Sequence, residues 1–260
     1  MAIQQSRRRN AEAVADRAAE RLIEAITAKP DLVLGLSTGG TMLGVYQRLV
    51  EAFHYNKVSF RRVTSVNVDE YVGLPPDHPQ SYATYMQVHL FRHVDIDPRR
   101  THIPDGAASE PEREAKRFEA LIEALGGFDL LLLGLGRNGH IAFNEPGTSP
   151  RSETRVVRLA PATLQANRRF FAPGEPQPGT AITIGLATIV KAREIMVLAT
   201  GASKAAAVEA MLTGVPVVDC PAAVLADHAN VQLLLDEAAW RSMARQAGEE
   251  PAHRARNGGP

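Results

Sequence analysis

The sequence predicts an α/β fold: a single-domain, doubly wound, mostly parallel sheet with helices on both faces, a modified Rossmann-like architecture. Three observations predict it. Short apolar runs of strand length alternate with stretches of helical periodicity along the 260 residues. Two of those runs end in Ser/Thr/Gly turns that open into a helix. No linker divides the chain, and nothing repeats with a fixed period. The expected boundaries are a flexible tail over residues 1–10, one domain over 11–247 and a polar, disordered tail over 248–260.

In order, Arg7-Arg8-Arg9 reads as a solvated tail. Ala11 to Ala28 carries Val14, Ala18, Leu22 and Ile26 at helical spacing, and Lys29-Pro30-Asp31 stops the helix. Leu32 to Leu36 is a buried strand, followed by Ser37-Thr38-Gly39-Gly40-Thr41 and a helix with Leu43, Tyr46, Leu49 and Val50 on one face. Such a loop suits an anion, because helix N-terminal amides point outward and the dipole favours negative charge. It is not a Walker motif, since no Lys follows the glycines. A purely steric need for glycine explains the loop equally well when it is taken alone.

Val63 to Val68 is the next strand and ends at Asp69. Helices follow through Tyr85, Val88, Leu90 and Phe91, and over Pro111 to Leu125; residues 95–106 between them are turn-rich. Thr154 to Leu159 and Ala181 to Ile184 read as short strands, and Phe171 to Gly179 as a Pro/Gly-rich connection. Ile195 to Thr200 is a buried strand whose end, Gly201-Ala202-Ser203-Lys204, opens another helix. A lysine in a first helical turn opposes the dipole and is costly unless it serves an anion. Val231 to Asp236 and Glu237 to Gln246 are the last strand and helix.

The stretch Phe128 to Pro146, FDLLLLGLGRNGHIAFNEP, organises the chain. Leu130 to Gly134 is apolar throughout, as in a strand buried on both faces. Asn138, His140, Asn144 and Glu145 then crowd the loop beyond its carboxyl end, where open α/β sheets bind ligands. Gly134, Gly136 and Gly139 match G-x-G-x-x-G, but Pro146 and Gly147 forbid the helix that a dinucleotide site needs, and no acid follows at the expected distance. The glycines are better explained as a turn that lets His140 and Glu145 approach a small ligand.

Composition narrows the function. With 29 basic and 29 acidic residues the net charge is zero, and aromatic residues make up only 5%, so neither bulk electrostatics nor stacking supports a nucleic-acid partner. The single cysteine, Cys220, reads as a packing thiol. No apolar run reaches the ~18 residues of a membrane span, and no apolar segment follows the arginine triplet as in a secretory signal. A cytoplasmic protein without membrane partners is expected.

The candidate groups sit at the carboxyl ends of different strands: the loop Ser37 to Thr41, Asp69, His140 with Glu145, and Lys204, with Arg169 on a connection. Together they describe an anion cradle, a carboxylate and a carboxylate-oriented imidazole, suited to proton transfer on a phosphorylated metabolite. VNVDEYVGL with Ser81-Tyr82 beyond it, GLGRNGHIAFNEPGTS, ANRRFF and TGASKA follow in that order. They resemble the glucosamine-6-phosphate deaminases of the glucosamine-6-phosphate isomerase/6-phosphogluconolactonase family, from about Leu32 to Asp236. NGHIAFNEP is the specific string; the lactonases lack the FNEP continuation.

The resemblance implies a hydrolase, a deaminating aldose–ketose isomerase, that needs neither metal nor organic cofactor. Glucosamine 6-phosphate and water would give fructose 6-phosphate and ammonium. It assigns Asp69 as the base moving a proton from C2 to C1, His140 to ring opening, and Glu145 to orienting His140. Asn138 stands where some members have Asp in a relay with the histidine. Ser37, Thr38, Gly39, Gly40, Thr41, Arg169 and Lys204 would hold the phosphate. Allosterically activated members carry basic residues after the FNEP loop and a tyrosine near the C-terminus. Here Arg155 matches one basic position, Val157 replaces the other, and no tyrosine follows Leu234. Activation by N-acetylglucosamine 6-phosphate is therefore not expected. A homo-oligomer is compatible with the resemblance.

Other readings remain open on sequence. Another amino-sugar phosphate, such as galactosamine 6-phosphate, could be the substrate. A non-catalytic sugar-phosphate sensor would need a DNA-binding helix-turn-helix, for which the stretch before Leu32 leaves no room. A metal hydrolase lacks ligand spacing such as H-E-x-x-H.

Overall fold

The computed structural model describes residues 3–246, so the tail expected over 248–260 lies outside the described residues. In chain order the elements begin β1 (Gln4–Arg8), α1 (Ala11–Ala28), β2 (Val33–Leu36), α2 (Gly40–His54), β3 (Thr64–Asn67) and β4 (Asp69–Tyr71). Then come α3 (Tyr82–His89), β5 (Thr101–His102), α4 (Pro111–Ala124), β6 (Leu130–Gly134), β7 (Arg155–Arg158) and α5 (Pro161–Asn167). They are followed by β8 (Thr180–Thr183), α6 (Leu186–Ile189), β9 (Ile195–Ala199), α7 (Ala205–Leu212), β10 (Val231–Asp236) and α8 (Glu237–Gln246).

Seven strands pair in the order β1-β10-β9-β6-β2-β3-β5, and every neighbouring pair is parallel. The apolar runs explain this. Strands covered on both faces need side chains for two cores, so β6 (LLLLG) and β9 (IMVLA) read as continuous hydrophobic runs. Alternate residues of each strand go to opposite sides. Leu131, Leu133, Val197 and Leu233 pack with Phe118, Ile122, Ile189, Val208 and Met211. Leu130, Leu132, Met196 and Leu198 pack with Leu22, Ile26, Tyr46 and Leu49. The order reverses between β6 and β2, which puts a crevice beyond their carboxyl ends, the usual ligand position in such sheets.

The helix ends follow local chemistry. The Asn10 side chain accepts from the amide of Ala13 at 2.9 Å and starts α1. Arg21 on α1 forms a two-pronged ion pair with Glu194, just before β9, and one arm measures 2.8 Å.

Three expectations are corrected. Residues 4–8 are not a solvated tail: β1 adds to the sheet edge along β10, from Gln4 opposite Gln232 to Arg8 opposite Asp236. The Arg7 guanidinium lies 3.7 Å from the centre of the Trp240 ring on α8, a cation–π contact. The polar sequence QQSRR hides the strand because an edge strand needs few apolar side chains. Secondly, the segments read as strands at 154–159 and 181–184 do not join the parallel sheet. They become β7 and β8, which form with β4 a separate antiparallel sheet in the order β4-β8-β7. Thirdly, the turn-rich span before α4 contributes the short edge strand β5.

Deleting residues 3–8 is expected to lower Tm by ~5 °C, given about 2–4 °C per kcal/mol for a chain of this size. A melting curve unchanged by the deletion would restore the solvated-tail reading.

Candidate active site

Four strand ends and one loop build the site. β2 runs into Ser37 and Thr38, and Gly39 stands at the N-cap of α2 with no side-chain capping bond. The first turn of α2 contains no acidic residue, so its positive end is not offset. The Ser37 hydroxyl is committed elsewhere: it donates to the Leu132 carbonyl of β6 at 2.8 Å. The phenol of Tyr46 holds the Ser37 carbonyl, and that of Tyr85 holds the Gly39 carbonyl at 2.8 Å. The loop is thus pinned from behind by α2 and α3.

Asp69 opens β4 after the single residue Val68 has carried the chain out of β3. It is 5% exposed, and its Oδ1 has no hydrogen-bond partner. Burial, and then the neighbouring Glu70 carboxylate, push its pKa well above the usual range. Tyr46 and Tyr82 lie close enough for their phenols to feel its charge. The Tyr82 phenol also feels the Thr38 side chain, which brings the Ser37–Thr41 loop close to the carboxylate. Glu70 points to other work. Its oxygens accept the amides of Tyr71, Tyr82 and Ala83 at 2.8–2.9 Å and anchor the start of α3.

The loop after β6 brings Asn138, His140 and Glu145 together. Asn138 Oδ1 lies 2.7 Å from His140 Nδ1, and Asn138 Nδ2 donates to Glu145 Oε2 at 2.6 Å. Glu145 Oε2 is 3.4 Å from His140 Nδ1. An acceptor on Nδ1 keeps the proton there and leaves Nε2 free to accept one. The Thr163 hydroxyl on α5 donates to Glu145 Oε1. Burial would raise the Glu145 pKa, but His140, Thr163 and Asn138 outweigh it and bring it to about 2. Glu145 is therefore a permanent anion at neutral pH.

Two glycines of the GLGRNG run have structural reasons. A Cβ at Gly136 would lie 2.4 Å from the His140 ring, so the imidazole rests on that peptide. Gly139 has φ +81°, and a Cβ there would meet Cys220 Sγ at 2.4 Å. No helix follows the third glycine; an isolated bridge joins Ile141 to Asn144 instead, as expected of a loop that is not a dinucleotide site.

Lys204 precedes α7 on a short 3₁₀ turn and is half-buried. Burial, together with Arg137 of the His140 loop, lowers its pKa. That mutual influence places Lys204 beside the loop. The turn itself is held by Asp236, which accepts the Gly201 amide at 2.9 Å and caps α8 through Ala239 at 2.8 Å. Thr41 lies in the first turn of α2. Arg169 is not brought to this group by any contact: it is exposed on the 3₁₀ turn after α5, 4.8 Å from the Phe170 ring. Arg155, read as a remnant effector-site residue, instead donates to Asn144 Oδ1 at 2.9 Å.

The residues that sequence reasoning missed are supporting ones. Thr163 gave no signal, since it meets Glu145 only through the placement of α5. Glu70 could have been found from its place between a strand end and the Ser81 N-cap signal of α3. Asn67 is fully buried at the end of β3, and both polar atoms of its side chain are unpartnered.

Residues 5–235 match the family described as glucosamine-6-phosphate isomerases/6-phosphogluconolactonase. The chain belongs to this family. A relative from Geobacillus sp. (strain WCH70) named glucosamine-6-phosphate deaminase is 52% identical over 228 residues, covering 88% of this chain and 91% of that one. One of the same name from Rhodopirellula baltica is 49% identical, covering 91% and 94%. A solved structure described as a monomeric glucosamine-6-phosphate deaminase superposes with a TM-score of 0.90 at 43% identity, covering 92% of this chain and all of that one. The 6-phosphogluconolactonase of Trypanosoma brucei follows the fold with a TM-score of 0.74 at 25% identity, covering 94% and 98%. No described helix is long and apolar enough to cross a membrane.

The raised pKa of Asp69 has a measurable sign. A folded-state pKa above the unfolded value of about 3.9 means that stability falls as pH rises from that value through the folded one. Asp69→Asn removes this cost. Its Tm is expected to exceed the parent's at pH 8, with the difference vanishing as pH is lowered toward 4. A difference independent of pH would show that Asp69 carries no raised pKa.

Proposed function

We propose that this family member is a glucosamine-6-phosphate deaminase, converting glucosamine 6-phosphate and water to fructose 6-phosphate and ammonium. The observation that carries the proposal is the pairing of a buried, raised-pKa carboxylate, Asp69, with the Asn138–His140–Glu145 chain at one crevice. Relatives named for this activity, 45–52% identical, support the reading.

The chemistry follows from the groups. The phosphate is held at the N-terminus of α2 by Thr38, Gly39, Gly40 and Thr41, with Ser37 shaping the loop from behind. Lys204 adds charge from the adjacent turn, and Arg169 would have to swing in. His140, with Nδ1 facing Asn138 and Glu145, takes the O1 proton at Nε2 and delivers it to the ring oxygen, opening the pyranose. Asp69 then removes the proton from C2 while a proton of the substrate's ammonium group passes to O1, leaving an enolamine. It returns that proton to C1 as the electron pair moves, and a ketimine forms at C2. Water adds to C2 and ammonia leaves.

A base of raised pKa stands nearer the working pH and gains driving force. Asn138 orients the imidazole but brings no charge; the anion that stabilises imidazolium is Glu145. The ring-opening proton is handled by an imidazole and the C2-to-C1 proton by a carboxylate, which is why a metal-independent reaction in the hydrolase class is proposed. A phosphorylated intracellular sugar as substrate accords with a cytoplasmic location.

Ammonia release from glucosamine 6-phosphate, measured in the presence of a chelator, tests this. The parent should release ammonia and Asp69→Asn should fall by at least about 10³-fold, the upper range for loss of acid–base catalysis. Release from galactosamine 6-phosphate alone would change the substrate; binding without release from either would favour a sensor.

We also propose that N-acetylglucosamine 6-phosphate does not activate the enzyme. Arg155 is engaged by Asn144, and the second basic position is Val157. Rate should rise hyperbolically with substrate and be unmoved by that ligand; a sigmoidal curve made hyperbolic by it would overturn the proposal.

A further inference from the structure

We propose that Thr183, acting with Asn144 and Arg155, is a positioning residue that sets the His140 loop at a fixed distance from Asp69. The inference rests on the reading that Asp69 and His140 act on one substrate. It concerns side chains that touch neither substrate nor reacting atoms.

The frame begins with strand register. Asp69 on β4 pairs with Thr183 on β8, and Thr183 pairs with Arg155 on β7. Directly opposed residues of antiparallel strands share a face, with Cβ atoms about 5 Å apart. Asp69, Thr183 and Arg155 therefore form one row across the small sheet. The loop that carries the imidazole is bolted to this row at two points and to the adjoining Ile184 at a third. The Phe143 amide donates to Thr183 Oγ1 at 3.1 Å. Asn144 Nδ2 donates to the Ile184 carbonyl at 2.9 Å, and to Ile141 of its own loop at 3.0 Å. Arg155 closes the far end by donating to Asn144 Oδ1 at 2.9 Å.

These bonds bracket the site residues. His140 lies three residues before Phe143, and Glu145 directly follows Asn144. Between them Ala142 has φ +50°, a left-handed conformation that a non-glycine residue holds only where its surroundings enforce it. Thr183 and Asn144 are both fully buried, so the bonds they make are shielded from competing water. A loop held this way cannot slide along the sheet without leaving buried polar groups unpaired. The row thus measures the distance from base to imidazole with backbone geometry.

Thr183→Val keeps the shape and removes the acceptor; Thr183→Ser keeps the acceptor. Thr183→Val should lower kcat for ammonia release by about 10- to 100-fold, the scale of an ångström-sized misplacement, with KM within about twofold. Thr183→Ser should recover most of kcat. The ring ¹⁵N shifts of His140, read without substrate, should move in Thr183→Val and return in Thr183→Ser. If Thr183→Val does not fold, Arg155→Gln, which loosens Asn144 from the surface side, should give the same kcat loss and ring shift. The inference is overturned if kcat and the ring shifts stay at parent values in the variant that folds, or if Thr183→Ser is as impaired as Thr183→Val. A parent that releases no ammonia counts against the deaminase reading instead, and the ring shifts then decide the positioning role alone.

Discussion

The backbone of Val68 belongs to two sheets at once. Its N–H is bonded to the Leu36 carbonyl of the parallel sheet, and its carbonyl accepts from Ile184 of the antiparallel one. Leu36 is the last residue before the Ser37–Thr41 loop, and Asp69 is the next residue after Val68. One residue therefore ties the Ser37–Thr41 loop, the carboxylate and the sheet to which the imidazole loop is bonded. Both hydrogen bonds are buried, since Val68 is fully covered, and breaking either would strand a backbone group away from water. The rest of the site depends on this junction, because it leaves Asp69 no freedom to move relative to either partner.

The environment then divides the labour between two carboxylates. Asp69 receives burial and a like-charged neighbour, and its proton is held more tightly. Glu145 is also partly buried, but a hydroxyl, an amide and an imidazole all favour its anion. On the proposed reading, pushing two acids of one site in opposite directions separates a group that exchanges protons from a group that orients. The same residue types in swapped surroundings would exchange roles.

Much of this was legible because the signals are local. The run Leu130 to Gly134 and the polar cluster directly after it lie within one short stretch, so a buried strand, its carboxyl end and Asn138, His140 and Glu145 could be read together. Asp69 was visible for the same reason, directly at the carboxyl end of the strand read at Val63 to Val68. What sequence does not display is which sheet a short strand joins. β7 and β8 have strand-like composition, but their antiparallel pairing with β4 depends on where Val68 redirects the chain. β1 was hidden because its partner, β10, lies more than two hundred residues away and its own side chains are polar. Thr163 and Thr183 were hidden as well, since a threonine's usefulness depends on what stands opposite it.

The turns proposed to hold the phosphate grow from the large sheet, whereas the proposed base, Asp69, opens a strand of the small one. On the proposed reading, the offset between the two sheets would act as a ruler. A sugar phosphate anchored at its terminal phosphate would then be counted inward, and chain length would choose the carbon presented to Asp69. On that reading, a substrate one carbon shorter or longer would fill the same cradle and offer Asp69 the wrong carbon.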